Sequence, residues 1–412
     1  MNLGSILKAE NVLINNNSPE GIRNFDPLRI LTLALALLLP YVFIEPAPVD
    51  LVLMAVSIYA FLKLKVPALA AVVYLTYILF TLISISLGIV FATGKQEIVF
   101  QYFFIEFYLA TSLLAIAAIS YQREYFITFF LRWYVIGATI SSIAVLLIKF
   151  GPDNVSLIYR DEMRIRIRGF FKDPNVLSPY LIFPIVAVYF SSGALNLKRW
   201  KYITLLSCVF LMVLTFSRGG YVALVGSILF GVMLKVLTEF SLSTLIMSIV
   251  FFLVVSFGLL WLIDNGYFEY ANYLFGRFEL KDYDQGRFYH IAHSLEIGFS
   301  NPLGIGPGGY GKIFGLNPHN LFAGKLVDAG LIPAIIIICI PIGGWFLSTL
   351  SYLKYRDDLS LILAATMMGQ VAAASVVYAH HWRHMLILGV ISSIYALKNS
   401  YENNQQAYQE QN

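Results

Sequence analysis

Of 412 residues, 58% are hydrophobic and only 13% are charged, where a soluble domain carries roughly a quarter charged, so an ordinary soluble fold is excluded. The net charge of +4 is small for this length and gives no sign of nucleic-acid binding. A bilayer core of about 30 Å needs some 20 apolar residues per helix. Such stretches recur from Ile30 to Leu397, so lipid is the solvent for most of the chain.

In chain order, the first 25 residues are polar, Asn-rich around Asn15 to Asn17, and lack the apolar core of a cleaved signal peptide, so the first helix is expected to remain as an anchor. Apolar runs between polar breaks predict spans near 30–46, 49–62, 68–91, 97–119, 125–148, 175–193, 202–216, 220–237, 243–263, 321–350, 359–379 and 383–398. The 49–62 run is short enough to be re-entrant. The fold class expected is an all-α polytopic membrane protein of about 12 transmembrane helices. Its organisation would be an N-terminal tail over 1–29, helices 1 to 9 over 30–263, a large loop over 264–320, helices 10 to 12 over 321–398 and a C-terminal tail over 399–412. Lys63, Lys65, Arg123, Lys198, Arg199, Lys201, Lys235, Lys354 and Arg356 fall in loops of one side. The positive-inside bias therefore makes both tails cytoplasmic and puts the 264–320 loop on the opposite face, expected to be the periplasmic side of the bacterial inner (plasma) membrane. Cys208 and Cys339 lie in apolar runs and read as core residues, with neither a disulfide framework nor metal spacing.

Two outward segments defy that charge bias. One runs from Lys149 to Asp173 with Arg160, Arg164, Arg166, Arg168 and Lys172, the other from Asp264 to Asn320 with Arg277, Lys281 and Arg287. Solvated pairing with Asp161, Glu162, Asp282 and Asp284 is one explanation. An anionic ligand is the other, because the guanidinium fork grips phosphate in a two-pronged way. The apolar stretch from Tyr202 to Val236 would be about 52 Å long as one helix, so it must be two spans. Its break is Ser217-Arg218-Gly219-Gly220, where paired glycines permit a turn and set Arg218 near headgroup depth. Arg218 snorkelling to the headgroups is the alternative.

All six histidines, His290, His293, His319, His380, His381 and His384, fall on the outward side, and histidine suits proton transfer near neutral pH. His319 precedes the span beginning at Leu321, where Asn320 is also a natural helix cap. His290 with His293, and His380 with His384, could each face one way on a helix. No carboxylate or thiolate stands beside them at ligand spacing, so no metal is expected. His380-His381-Trp382-Arg383-His384 reads as an interfacial belt with Arg383 or His384 lining a site. The glycine-rich run from Gly304 to Gly311 lacks the Lys-Ser/Thr ending of a nucleotide loop and reads as turns that let backbone approach a substrate.

Arg168-Gly169-Phe170-Phe171-Lys172-Asp173-Pro174-Asn175, Ser217-Arg218-Gly219, Gly286-Arg287, Asn301-Pro302-Leu303-Gly304-Ile305-Gly306-Pro307-Gly308, His319-Asn320 and Gly330-Leu331 follow one another in this order. Together they resemble the superfamily of O-antigen ligases and O-antigen or exopolysaccharide polymerases. The resemblance implies a GT-C-like membrane glycosyltransferase of lipopolysaccharide or exopolysaccharide biosynthesis, working on the periplasmic face without metal or other cofactor. Its donor would be an undecaprenyl-diphosphate-linked glycan, and its acceptor either another lipid-linked repeat unit or lipid A-core. Membrane lipids and proteins of polysaccharide assembly and export would be its partners. In the ligases two arginines and a histidine are implicated in catalysis, and the matching positions are Arg218, Arg287 and His319. Arg168, with Arg166, Asn175, Arg383 and His384, is expected to bind substrate. A transporter or flippase for a lipid-linked or anionic solute is the rival reading, but it would place polar residues at the midplane of broken helices and often show repeated halves. The polar clusters gather instead on one side.

Overall fold

A computed structural model describes residues 26–44, 46–91, 96–151, 158–159, 165–190, 193–239, 282–376 and 383–410, with a few isolated residues between 246 and 257. Among the described residues the protein is all helical: α1 (Pro27–Leu38), α2 (Pro48–Lys63), α3 (Ala68–Phe91), α4 (Gln96–Gln122), α5 (Glu124–Phe150), α6 (Pro174–Phe190), α7 (Lys201–Leu214), α8 (Arg218–Thr238), α9 (Asp282–Ser300), α10 (Gly309–Phe314), α11 (Leu321–Ala329), α12 (Leu331–Tyr355), α13 (Asp358–Ala374) and α14 (Arg383–Glu410). Five segments are long and apolar enough to cross a membrane, namely Ala68–Ile89, Phe104–Gln122, Glu124–Phe150, Arg218–Thr238 and Leu331–Tyr355. With the shorter apolar helices α1, α6, α7 and α13, they make a multi-pass membrane protein. The expected span at 243–263 lies outside the described residues apart from those isolated ones.

α6 and α13 form the centre of the bundle and are buried nearly all round, as expected of helices without a polar face. α6 carries Pro179 and Pro184 in its interior. Pro184 has no N–H to give the carbonyl of Tyr180, and the buried hydroxyl of Tyr134 on α5 donates to that oxygen at 3.0 Å. Gln370 on α13 donates to the carbonyl of Pro179 at 2.7 Å. Polar side chains of neighbouring helices thus satisfy backbone where no water can.

The expected span over 321–350 is two helices. Gly330 sits at φ 90° and ψ 179° between α11 and α12, a left-handed conformation that interrupts helical backbone and favours glycine. The expected loop over 264–320 also contains helix, since α9 and α10 lie within it, and the C-terminal tail continues α14 as far as Glu410.

Two buried ion pairs tie this framework together. Lys325 on α11 bonds Glu106 on α4, which also accepts from the hydroxyl of Tyr77 on α3. Arg383 at the start of α14 bonds Asp50 on α2, through Nε at 2.6 Å and Nη2 at 2.9 Å. The hydroxyl of Tyr108 on α4 completes that group by donating to Asp50 at 3.0 Å.

Candidate active site

The reversal between α7 and α8 is made by Phe216, a buried residue in left-handed conformation at φ 49°. Bulky residues seldom adopt it, and where they do the surrounding structure imposes it. This differs from the sequence expectation, in which Gly219 and Gly220 turn the chain. Both glycines lie inside the first turn of α8. Gly220 serves a close approach instead, because a Cβ there would stand 2.3 Å from Oγ of Ser178 on α6.

That approach brings two helix N-termini together. Ser217 caps α8 by accepting from the amide of Gly220 and donates its hydroxyl to Oδ1 of Asn175 at 3.0 Å. Asn175 is the second residue of α6, and its amide donates to Asp173 Oδ1 at 2.8 Å. Arg166 closes the group, donating through Nη2 to Asn175 Oδ1 at 3.2 Å and through Nε to the carbonyl of Thr215 at 3.3 Å. Arg168 is half-buried two residues further on, its amide bonded to the carbonyl of Ile158. Each N-terminus carries a partial positive charge, although on α6 Asp173 already takes the amides of Asn175, Val176 and Leu177, so their meeting favours an anion through the helix dipoles.

Arg218 is the first residue of α8, and its guanidinium grips Asp284 on α9 end-on, with Nη1 to Oδ2 at 3.1 Å and Nη2 to Oδ1 at 2.5 Å. Arg287 follows Asp284 by three residues on α9, the spacing that places two side chains on one helix face. His319 lies just before α11, in the electrostatic field of Arg287, Asp173 and His290. Burial pulls its pKa below the ordinary imidazole range and Arg287 lowers it further, outweighing the opposite effect of Asp173. A neutral imidazole, able to accept a proton, results. Asn320 caps α11, accepting from the amide of Ala323 at 2.8 Å and donating to the carbonyl of Ser375 at 2.9 Å.

The structure therefore gathers Arg166, Asn175, Arg218, Arg287 and His319, with Arg168 close along the chain. Arg383 and His384 are held by contacts of their own. Arg383 is 3% exposed and tied to Asp50 and Tyr108, while His384, also 3% exposed, sets its ring edge-on to Tyr180 at 5.7 Å. His380 and His381 lie outside the described residues, as do Arg160 and Arg164. His290 and His293 both direct Nδ1 to the hydroxyl of the buried Tyr310, at 3.0 and 3.1 Å.

Gly304 and Gly306 of the glycine run are required by the fold. A Cβ on Gly306, at φ 92°, would stand 2.5 Å from Cα of Gly88 on α3, and one on Gly304 would stand 2.7 Å from the amide nitrogen of Gly330. The backbone those glycines admit is the protein's own. Sequence reasoning missed Asp284, read as a solvated surface charge, and Lys325, absorbed into an apolar span. The Asp284/Arg287 spacing was a usable signal for the first; for the second, an ionisable residue inside a span should itself have prompted a search for its partner.

Residues 203–339 match the family model described as O-antigen ligase. Those residues are similar to an O-antigen ligase domain. The match runs from α7 into α12 and includes Arg218, Asp284, Arg287 and His319, while Arg166, Arg168 and Asn175 precede it. A comparison with curated proteins finds no match. The domain supports a function of the O-antigen ligase or polymerase type, and hence a glycosyltransferase-like enzyme.

Proposed function

We propose that the protein transfers a glycan from an undecaprenyl-diphosphate donor to a hydroxyl of a glycan or lipid A-core acceptor, at the periplasmic face of the inner membrane. The observation that carries this reading is the convergence of Arg218, Arg287 and the N-termini of α6 and α8 beside a histidine held neutral. The acceptor oxygen attacks the anomeric carbon, forming the new glycosidic bond, and the bond from that carbon to the diphosphate oxygen breaks. The diphosphate departs with the electron pair, and His319 takes the proton released by the acceptor hydroxyl. Charge grows on the leaving group as the bond breaks, so cations and helix N-termini fixed around it stabilise the transition state more than the bound donor. Arg166 and Asn175 join the loop before α6 to the turn before α8 and so hold the two N-termini together, with Arg168 beside them.

Purified protein incubated with a lipid-linked repeat unit, with and without lipid A-core, tests the reading by product size. A ladder formed without lipid A-core identifies a polymerase, and a single shift that requires it identifies a ligase. Absence of both products, with the donor merely moved between leaflets of a vesicle, would favour the transporter reading. The arginines supply the charge neutralisation for which other transferases use a divalent cation, so transfer should persist in EDTA. Complete loss restored by one divalent cation would refute that part of the scheme.

A further inference from the structure

Asp284 is out of place in a site built to hold an anion. It is 5% exposed, and in surroundings of low polarity it would repel a diphosphate more strongly than a solvated acid would. Its geometry offers a reason. Each carboxylate oxygen meets a different terminal nitrogen of Arg218, at 2.5 and 3.1 Å, and such a two-pronged contact fixes the plane of the guanidinium as well as its position.

The backbone on either side of this contact is fixed independently. The start of α8 is set by the left-handed Phe216 and the Ser217–Asn175 hydrogen bond. Further along α9, a Cβ on Gly298 would stand 2.5 Å from Cγ of Leu326 on α11, so that part of the helix is packed tightly against the element following His319. Asp284 pins the N-terminal end of α9 to α8, three residues ahead of Arg287. Resting on the functional reading above, we infer that Asp284 is the positioning residue of this site. It orients the Arg218 fork and sets the spacing between Arg218 and Arg287, so that both meet the charge developing on the departing diphosphate. Asp284 itself touches no reacting atom.

A double-mutant cycle between Asp284→Asn and Arg218→Ala tests this, with transfer normalised to folded protein by thermal melting and binding measured with undecaprenyl diphosphate as probe. Asp284→Asn keeps the shape and one acceptor oxygen but loses the charge and the symmetric grip. It should lower turnover about tenfold or more through misplacement of Arg218, while probe affinity changes less than about threefold. Added to Arg218→Ala it should cost nothing further, because the residue it positions is already gone. A purely structural acid would instead lower the melting temperature and reduce transfer equally in both backgrounds, which overturns the inference. A carboxylate that merely keeps the seat until the donor displaces it would, on substitution, tighten probe binding without slowing turnover, which overturns it too. Full transfer by Arg218→Ala would refute the functional reading itself, whereas a crippled Arg218→Ala beside a normal Asp284→Asn would refute this inference alone.

Discussion

Arg383 was expected from the sequence to line the site, and the structure makes a different prediction for it. Its side chain is 4% exposed and that of Asp50 8% exposed. The carboxylate also accepts from the amide of Ala47 at 2.8 Å, which caps α2, and from Tyr108 on α4 at 3.0 Å. Arg383→Met removes the cation and leaves a buried carboxylate with only neutral donors. Stranding one member of a buried pair costs about 3–5 kcal/mol. Arg383→Met with Asp50→Asn removes both charges and keeps an acceptor for Ala47, so most of that loss should return. Reversible denaturation in detergent of the two variants and the native protein, alongside donor binding on the folded fraction, measures both effects. If Arg383→Met is within about 1 kcal/mol of native stability but binds donor poorly, the tie reasoning fails and Arg383 belongs with the substrate.

Arg218→Ala should reduce transfer about 10²-fold, as removal of a fixed donor to a developing anion does elsewhere, and Arg218→Lys should recover only part of it because a point charge lacks the fork; equal rates for Lys and Arg would refute the two-pronged contact. Because His319 has a lowered pKa, it stays neutral through the ordinary imidazole range and transfer should fall only below it, as the ring takes a proton and ceases to act as a base. Arg287→Gln removes a charge that lowers this pKa, so the acid limb of the pH profile should move to higher pH in addition to any loss of rate, and an unmoved limb would separate the two residues. His319→Ala should cost about 10²-fold or more in transfer with donor binding largely intact. Gly306→Ala, with a Cβ 2.5 Å from Gly88 Cα and φ 92°, should destabilise by at least about 1–3 kcal/mol, and a native melting temperature would show that α3 can move aside.

The helices were legible because each apolar run is long against its polar breaks, and α3, α5 and α8 lie close to their expected bounds. The candidate residues Arg218, Arg287 and His319 each stood out in the sequence by an anomaly: a charge inside an overlong apolar stretch, a cation on the wrong side, a histidine at a helix start. What failed was inference about partners. A glycine announces that something comes close, and cannot say whether that is a ligand or, as for Gly306, another glycine. An acid near an arginine announces pairing without saying which arginine, so Asp284 passed for a member of a solvated surface pair when its partner stands 66 residues away. The break at Gly330 was missed because Lys325 and Asp328 just before it were absorbed into one apolar run.

The contrast among three ion pairs carries the argument about the site one step further. The side chains of Lys325 and Glu106 are each 4% exposed, and those of Arg383 and Asp50 are 4% and 8% exposed, so both partners of these pairs are withdrawn together. Arg218 is 21% exposed while its partner Asp284 is 6% exposed. A pair that only joins helices holds most firmly with solvent excluded from both charges, since the attraction strengthens as the surroundings become less polar, at the cost of desolvating both. A pair whose arginine must also meet a substrate has to keep one face of that arginine reachable, while its acid is buried so that the grip persists. The asymmetry of Arg218 and Asp284 is what the second requirement produces. It also explains why an acid is tolerated there: its charge offsets that of an arginine beside two helix N-termini whenever the donor is absent.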